Sequence, residues 1–203
     1  MLFSAKNLED LKSKVDSTLH HIVDWFSFNG LTLNMDKTNI IKFHSNHSQN
    51  QPHQCDSDNY AIKEVININL LGLELDNHIN WKKHVIKILP KLSRACYAVR
   101  AMCPISCMTT LKMIYFACFR SIINYGIIFG GNSTECKKVF LAQKKIIRIM
   151  TGSRPRTSCK PLFQSLGILT IPSQYILSLM NFELQNQERF TPSIEVHNFN
   201  TRN

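Results

Sequence analysis

Apolar residues recur at three- and four-residue steps through the N-terminal segment, at Leu8, Leu11, Val15, Leu19, Ile22 and Phe26. That spacing puts them on one stripe of an α-helix. Asn7 is a good N-cap for it, Asp10 stands near the positive end of the helix dipole, and Gly30 suits a left-handed C′ position that closes it. The period then changes. Leu31 and Leu33 alternate with polar neighbours, Asn34, Met35 and Asp36 carry turn chemistry, and residues 39–43 form a second apolar run. The pattern predicts strand, turn, strand, a hairpin with Lys37 and Thr38 at the start of its second arm.

Residues 44–60 break the pattern with His, Ser, Asn, Gln and Asp, and read as a disordered hairpin insertion. His44, His47, His53 and Cys55 fall there at spacings that match no closed zinc pattern, and Asp56 and Asp58 have no strand scaffold around them.

From Asn80 a helix is predicted, with Trp81, Val85, Ile88, Leu92 and Cys96 on one face and Lys82, Lys83, Lys87, Lys91 and Arg94 on others. Pro90 inside it is expected to kink or split it. A second helix from about Ser106 takes Leu111, Ile114, Tyr115, Cys118 and Ile122 as its core stripe, with Lys112 and Arg120 off it. A third, from near Ser133 to Gly152, carries Val139, Phe140, Gln143, Ile146, Ile147 and Met150, with Lys137, Lys138, Lys144, Lys145 and Arg148 projecting. These helices are expected to form a small bundle with one basic surface.

Residues 161–180 lack charge, but Gln164, Ser165, Gly167, Pro172, Ser173 and Gln174 divide them into short amphipathic pieces. A spanning helix needs about 20 predominantly apolar residues, so this stretch reads as buried structure and no membrane association is expected. Pro172 suits the first position of a last helix holding Tyr175, Ile176, Leu179 and Phe182, and residues 188–203 read as a disordered tail.

Composition narrows the class. A chain of 203 residues that is 44% hydrophobic and 19% charged can bury a core, which argues against wholesale disorder. Its 7 cysteines are an odd number set mostly in apolar helical patterns, and no signal-peptide pattern precedes them. They read as reduced thiols in an intracellular protein of nucleus or cytoplasm. Cys103 and Cys107, four apart around Pro104, have no paired CxxC elsewhere and read as core thiols.

Charge is unevenly placed. Residues 81–160 hold 16 Lys and Arg against the single acid Glu135, a net +15, while the rest hold 8 basic and 13 acidic residues, a net −5. A segment so one-sided repels itself, and a polyanion whose counterions are released on binding relieves that repulsion. After Gly152, the loop with Arg154 and Arg156, followed by Lys160, is open to two readings: a plain connector, or phosphate contacts that position a duplex without reading its sequence.

Three stretches resemble one family. Trp25, Asn29, Leu31, Leu33, Asn34, Lys37 and Thr38, at these spacings, resemble the palm element that follows the catalytic aspartates in reverse transcriptases of non-LTR retrotransposons. Leu70, Leu71, Gly72, Leu73, Glu74, Leu75 and Asp76, then Trp81 and His84, resemble the family's primer-grip hairpin leading into the thumb, with Leu71, Gly72 and Leu73 at the grip. Tyr115, Ser121, Tyr125, Gly126, Gln143, Lys144, Ile147, Arg148 and Gly152, then Leu162, Phe163 and Leu166 to Leu169, are similar to the thumb and post-thumb region of insect-type elements. The resemblance covers roughly residues 1 to 182.

It implies an α+β, mostly helical fold: a palm remnant over residues 1–80 and a helical thumb and post-thumb region over 81–187. In the family, paired aspartates in a Tyr-x-Asp-Asp turn lie just upstream of a segment like Leu2, Phe3, Ser4, and Mg2+ held by such carboxylates serves phosphoryl transfer. The turn is not among these residues, so no polymerase activity, no metal and no cofactor are expected of this chain alone. Lys37 matches the lysine that lies near the incoming triphosphate in the family, a general-acid position that stays idle unless a separate palm and fingers polypeptide completes the site. The expected partner is a template-primer duplex, bound weakly and without sequence preference through Lys82, Lys83, Lys87, Lys91, Arg94, Lys137, Lys138, Lys144, Lys145, Arg148, Arg154, Arg156 and Lys160. Two competing readings are a non-enzymatic helical module that binds another protein, and a decayed fragment without function.

Overall fold

The computed structural model describes residues 1–5, 7–43 and 62–190. The polar stretch with its histidines, Cys55, Asp56 and Asp58, and residues 191–203 of the tail, lie outside them. The described fold is mostly helical with a few short strands, an α+β arrangement in two compact units, Met1–Ile79 and Asn80–Asn203.

In the first unit, α1 spans Leu8–Phe28 from Asn7, whose side chain makes no capping bond. Its end follows the sequence: Gly30 takes φ +67°, its N–H donates to Ser27 O, and Leu31 N–H donates to Phe26 O. This Schellman pair satisfies carbonyls that the helix leaves open.

The predicted hairpin does not form. Residues 31–33 make no strand, and Met35–Lys37 is a turn of 3-10 helix in which Asn34 Oδ1 accepts the Lys37 N–H at 3.1 Å. That cap takes up the side-chain oxygen of Asn34 within the 3-10 turn. Strand β1 is reduced to Asn39–Ile40 and pairs in parallel with β2, Lys63–Glu64, in the register Asn39 to Lys63. A separate antiparallel hairpin joins β3, Asn67–Leu70, to β4, Leu73–Asp76, through Leu71 and Gly72. Both turn residues have positive φ, +49° and +86°, as a two-residue hairpin that follows strand twist requires, and Asn69 Oδ1 accepts the Gly72 N–H.

The second unit holds the larger core. Helix α2 runs Lys82–Met102, starting two residues later than predicted because Trp81 sits at φ +63° as its N-cap. It continues unbroken through Pro90. A proline inside a helix costs about 3 kcal/mol. Val85, Leu92, Ala95, Cys96 and Val99 are all buried, and a single buried leucine contributes about 2 kcal/mol, so the packed face outweighs the lost hydrogen bond. Pro90 itself lies on the exposed side.

After α3, Met108–Ile114, the chain enters a π-helical stretch, Tyr115–Arg120, and then α4, Ser121–Asn124. An uninterrupted α-helix would bury Leu111, Tyr115, Cys118 and Ile122. The wider turn adds a residue, so the buried positions become Leu111, Tyr115, Phe119 and Ile123, and Cys118 is exposed. The same shift turns Arg120 inward, overturning its expected place off the core stripe.

Helix α5 is Ile127–Gly130; α6, Cys136–Met150, starts later than predicted and closes on Gly152 at φ +61° with a second Schellman pair, Gly152 N–H to Ile149 O and Ser153 N–H to Arg148 O. Helices α2 and α6 run parallel: Cys96 Sγ meets Ala142 O at 4.0 Å and Cys103 Sγ meets Ile149 O at 3.4 Å, pairs seven residues apart on both helices.

Helix α7 spans Lys160–Leu166 and α8 spans Ile171–Gln185, capped by Thr170 Oγ1 accepting the Ser173 N–H, with Pro172 at the second position, not the first. The expectation of burial across 161–180 holds only at its start. Phe163, Leu166, Ile168 and Ile171 are buried, whereas Ile176, Leu177 and Met180 are exposed. Gln187–Arg189 forms a 3-10 turn, and the Phe190 ring meets Phe182 edge-on at 6.1 Å, so the first residues of the expected tail are structured.

Candidate nucleic-acid interface

Thirteen basic residues singled out by sequence fall on α2, α6, the following loop and the first position of α7, but the helices sort them onto separate faces. On α2, Lys83, Lys87, Lys91 and Arg94 lie about 140° to 180° around the helix from Cys96, at 100° per residue. Cys96 faces α6, so this stripe points away from α6. Lys82 sits on the other side of α2, and its charge reaches Glu135 at the start of α6. The single basic surface expected from sequence is therefore divided.

On α6 the geometry is more favourable. The core side holds Val139, Gln143, Ile146, Ile147 and Met150, and Lys137, Lys138, Lys144, Lys145 and Arg148 occupy the outer half. Arg148 Nε donates to Thr157 O at 3.0 Å, which ties the loop carrying Arg154 and Arg156 to this face. Arg154, Arg156 and Lys160 are exposed. Lys144 Nζ stands 4.3 Å over the Phe140 ring. The one acid of the block, Glu135, pairs with Lys138 at 2.5 Å, and this hydrogen bond chiefly holds its carboxyl below the ordinary range.

Sequence reasoning missed Arg100. It stands one turn beyond Cys96 on α2, and its charge, with that of Lys145 from α6, partly opposes the burial that pushes the Cys96 thiol up. The pair thus flanks the seam between the two helices. Their signal was present in the four-residue step from Cys96 to Arg100.

Arg120 is a false contributor to the basic block. It is 8% exposed, and its guanidinium donates to Asn124 Oδ1 at 3.1 Å, to Leu169 O at 3.3 Å and to Gln174 Oε1. All three partners are neutral. Beside it Gln143, fully buried, donates to Tyr115 Oη and to Leu169 O and accepts the Ile171 N–H, each at 2.9 Å. This network anchors the segment between α7 and α8 to the core, and α6 with it.

In the first unit, Lys37 is exposed at the end of its 3-10 turn. Leu71 and Gly72 are exposed at the β3–β4 tip, and Leu73 opens β4 half-buried. Among the described residues no three His, Cys, Asp or Glu side chains come together in a way that would hold a metal ion, so the donor set of a two-metal phosphoryl-transfer site is not met by them. Among the same residues no single helix is long and apolar enough to cross a membrane; α7 and α8 taken together reach that length and composition only across a 52° bend.

Compared with known proteins, the chain matches no family model, no curated protein and no solved structure.

Proposed function

We propose that these residues are the end of the palm and the thumb of a non-LTR retrotransposon reverse transcriptase, of LINE type and insect-like, and that their own contribution is sequence-independent binding of a template-primer duplex. Support for the family comes from the spaced residues around Lys37, Gly72 and Gln143. Support for the activity comes from one observation: the Arg148 to Thr157 bond joins the outer face of α6 to the loop of Arg154 and Arg156 in one cationic surface, and Glu135, the one acid within residues 81–160, is paired with Lys138.

Such a surface tracks phosphates. It releases condensed counterions as it binds and carries no base-reading specificity. Polymerisation is not ascribed to these residues, because the described ones bring together no carboxylate set that would hold divalent ions. Lys37 acts on a leaving pyrophosphate only where another polypeptide completes the palm.

The test is a duplex titration at several salt concentrations. Five phosphate contacts give a log-log slope of about −4 to −5 on B-form DNA. Lys137→Gln, Lys138→Gln and Lys145→Gln together are expected to lower affinity and to flatten the slope by about 2 to 3. Loss of affinity at unchanged slope, or absence of binding by the parent chain at low salt, refutes the reading.

A second reading, a module that binds another protein, is favoured by the exposed Ile176, Leu177, Met180 and Leu184 of α8. It gains if duplex binding is absent.

A further inference from the structure

Ser158 lies in the loop between α6 and α7, where the charge is all of one sign. Arg154 and Arg156 precede it by four and two residues, Lys160 follows it by two, and no acid occurs between Glu135 and Glu183. Ser158 is exposed, as are Arg154, Pro155, Arg156 and Lys160, whereas Ser153 and Thr157 are half-buried.

The hydroxyls of the loop differ in the same way. Ser153 Oγ is engaged at 2.9 Å by Thr151 Oγ1, but among the described residues no hydrogen bond takes up Ser158 Oγ. Ser158 lines an open cleft of about 620 Å³ between α6, α7 and the start of α8, so a group added to its oxygen meets space and not packed side chains. The loop around it is held by the Thr157 N–H donating to Arg154 O and the Arg148 Nε donating to Thr157 O, each at 3.0 Å. Drawing such a segment into another protein's cleft breaks few bonds, unlike unwinding a helix.

We infer that Ser158 is a phosphorylation site for a serine/threonine protein kinase that selects cations on both sides of its acceptor, and that phosphate there weakens the cationic face beside it. An acidic substrate cleft of a kinase is the complement of this charge pattern. In the transfer Ser158 Oγ attacks the γ-phosphorus of ATP; the new O–P bond forms as the bond to the bridging oxygen of ADP breaks, and the hydroxyl proton passes to the kinase's base. The phosphoserine carries about −1.5 to −2 charges, which offsets about two of the three cations Arg154, Arg156 and Lys160. It stands next to Thr157, the residue through which Arg148 ties the loop to α6. The site rests on the loop alone, and its effect on duplex binding rests on the function proposed above.

The folded full chain, incubated with protein kinase C and magnesium ATP, tests the site, with casein kinase 2, which selects acidic flanks, as the comparison. Mass spectrometry of peptides is expected to place phosphate on Ser158 at least tenfold faster with the first kinase. Ser158→Ala is expected to remove that phosphate, and Arg156→Gln with Lys160→Gln to slow its addition at least tenfold, with folding of each variant checked by circular dichroism. No labelling of the folded chain, labelling only after denaturation, or phosphate on Ser153 or Thr157 instead overturns the inference.

Duplex titration of the phosphorylated chain reads the consequence. Affinity at low salt is expected to fall at least threefold and the log-log salt slope to flatten by about 1 to 2, while kinase-treated Ser158→Ala keeps the affinity of the parent. Unchanged affinity after complete phosphorylation overturns the effect on binding. If the unmodified chain binds no duplex, that effect fails together with the proposed function, whereas phosphate found on Ser158 still supports the site.

Discussion

Gln143 donates its amide to the phenol oxygen of Tyr115 at 2.9 Å, inside a core where both side chains have no exposed surface. The same amide bonds the backbone of Leu169 and Ile171, so each of its polar atoms is used. Removing a buried amide strands its partners, at a cost of about 1 to 3 kcal/mol for each unsatisfied group. Gln143→Leu is expected to destabilise the chain by about 2 to 4 kcal/mol through the orphaned Ile171 N–H and Tyr115 hydroxyl, and Gln143→Glu, which sets a buried carboxylate against the Leu169 carbonyl, at least as much. Urea denaturation measures both; a loss below 1 kcal/mol in the leucine variant would contradict the network.

The π-helical stretch makes a sharper comparison. Periodicity from Leu111 points at Cys118, whereas the structure buries Phe119 and exposes Cys118. Phe119→Ala is expected to cost about 3 to 5 kcal/mol, and Cys118→Ala within about 0.5 kcal/mol of zero. Equal losses at the two positions would mean that the helix keeps a regular α phase.

Stability is expected to differ between the units. In the first, Leu19 and Ile62 are the buried apolar side chains among the described residues, while the second buries Leu92, Val99, Tyr115, Phe119, Ile146 and Ile147 almost completely. Native-state hydrogen exchange should therefore be faster around residues 31–43 than in α6, with protection in α6 near the global value. Slower exchange in the 31–43 segment would refute the ranking.

The thiols offer a pH test. Cys107 Sγ lies 3.3 Å from Thr110 Oγ1, and hydrogen bonding from Thr110 holds its pKa below the ordinary thiol value. Its thiolate thus persists to lower pH, and the midpoint of its alkylation rate should fall below that of an unperturbed thiol and rise in Thr110→Val. Cys96 behaves oppositely, because burial raises its pKa. Its proton is held more tightly in the folded chain, so the stability it contributes is full below the unfolded thiol value and is lost as pH climbs through the raised one. Mass spectrometry of alkylated peptides across pH 6 to 10 should label Cys107 well before Cys96; simultaneous labelling counts against both assignments.

Much of this protein was legible in the residues themselves. The three- and four-residue steps mark α1 and α6, Gly30 and Gly152 close them with the positive φ that their positions require, and the concentration of Lys and Arg in residues 81–160 needs no structure to be seen. Each of these follows from interactions within a few residues, which the chain carries wherever it folds. Tertiary structure decided the rest. Leu31 and Leu33 have strand-like alternation but no strand partner among the described residues, and β1 pairs with Lys63–Glu64, because a strand exists only where a second one meets its hydrogen bonds. The π turn shifts the buried stripe from Cys118 to Phe119 and carries Arg120 into the core, where Asn124, Gln174 and the Leu169 carbonyl receive it. The parallel packing of α2 on α6 sends the Lys83 to Arg94 stripe away from α6 and leaves the outer face of α6 to the loop that Arg148 holds, since which way a charged face points is fixed by what packs on its opposite side.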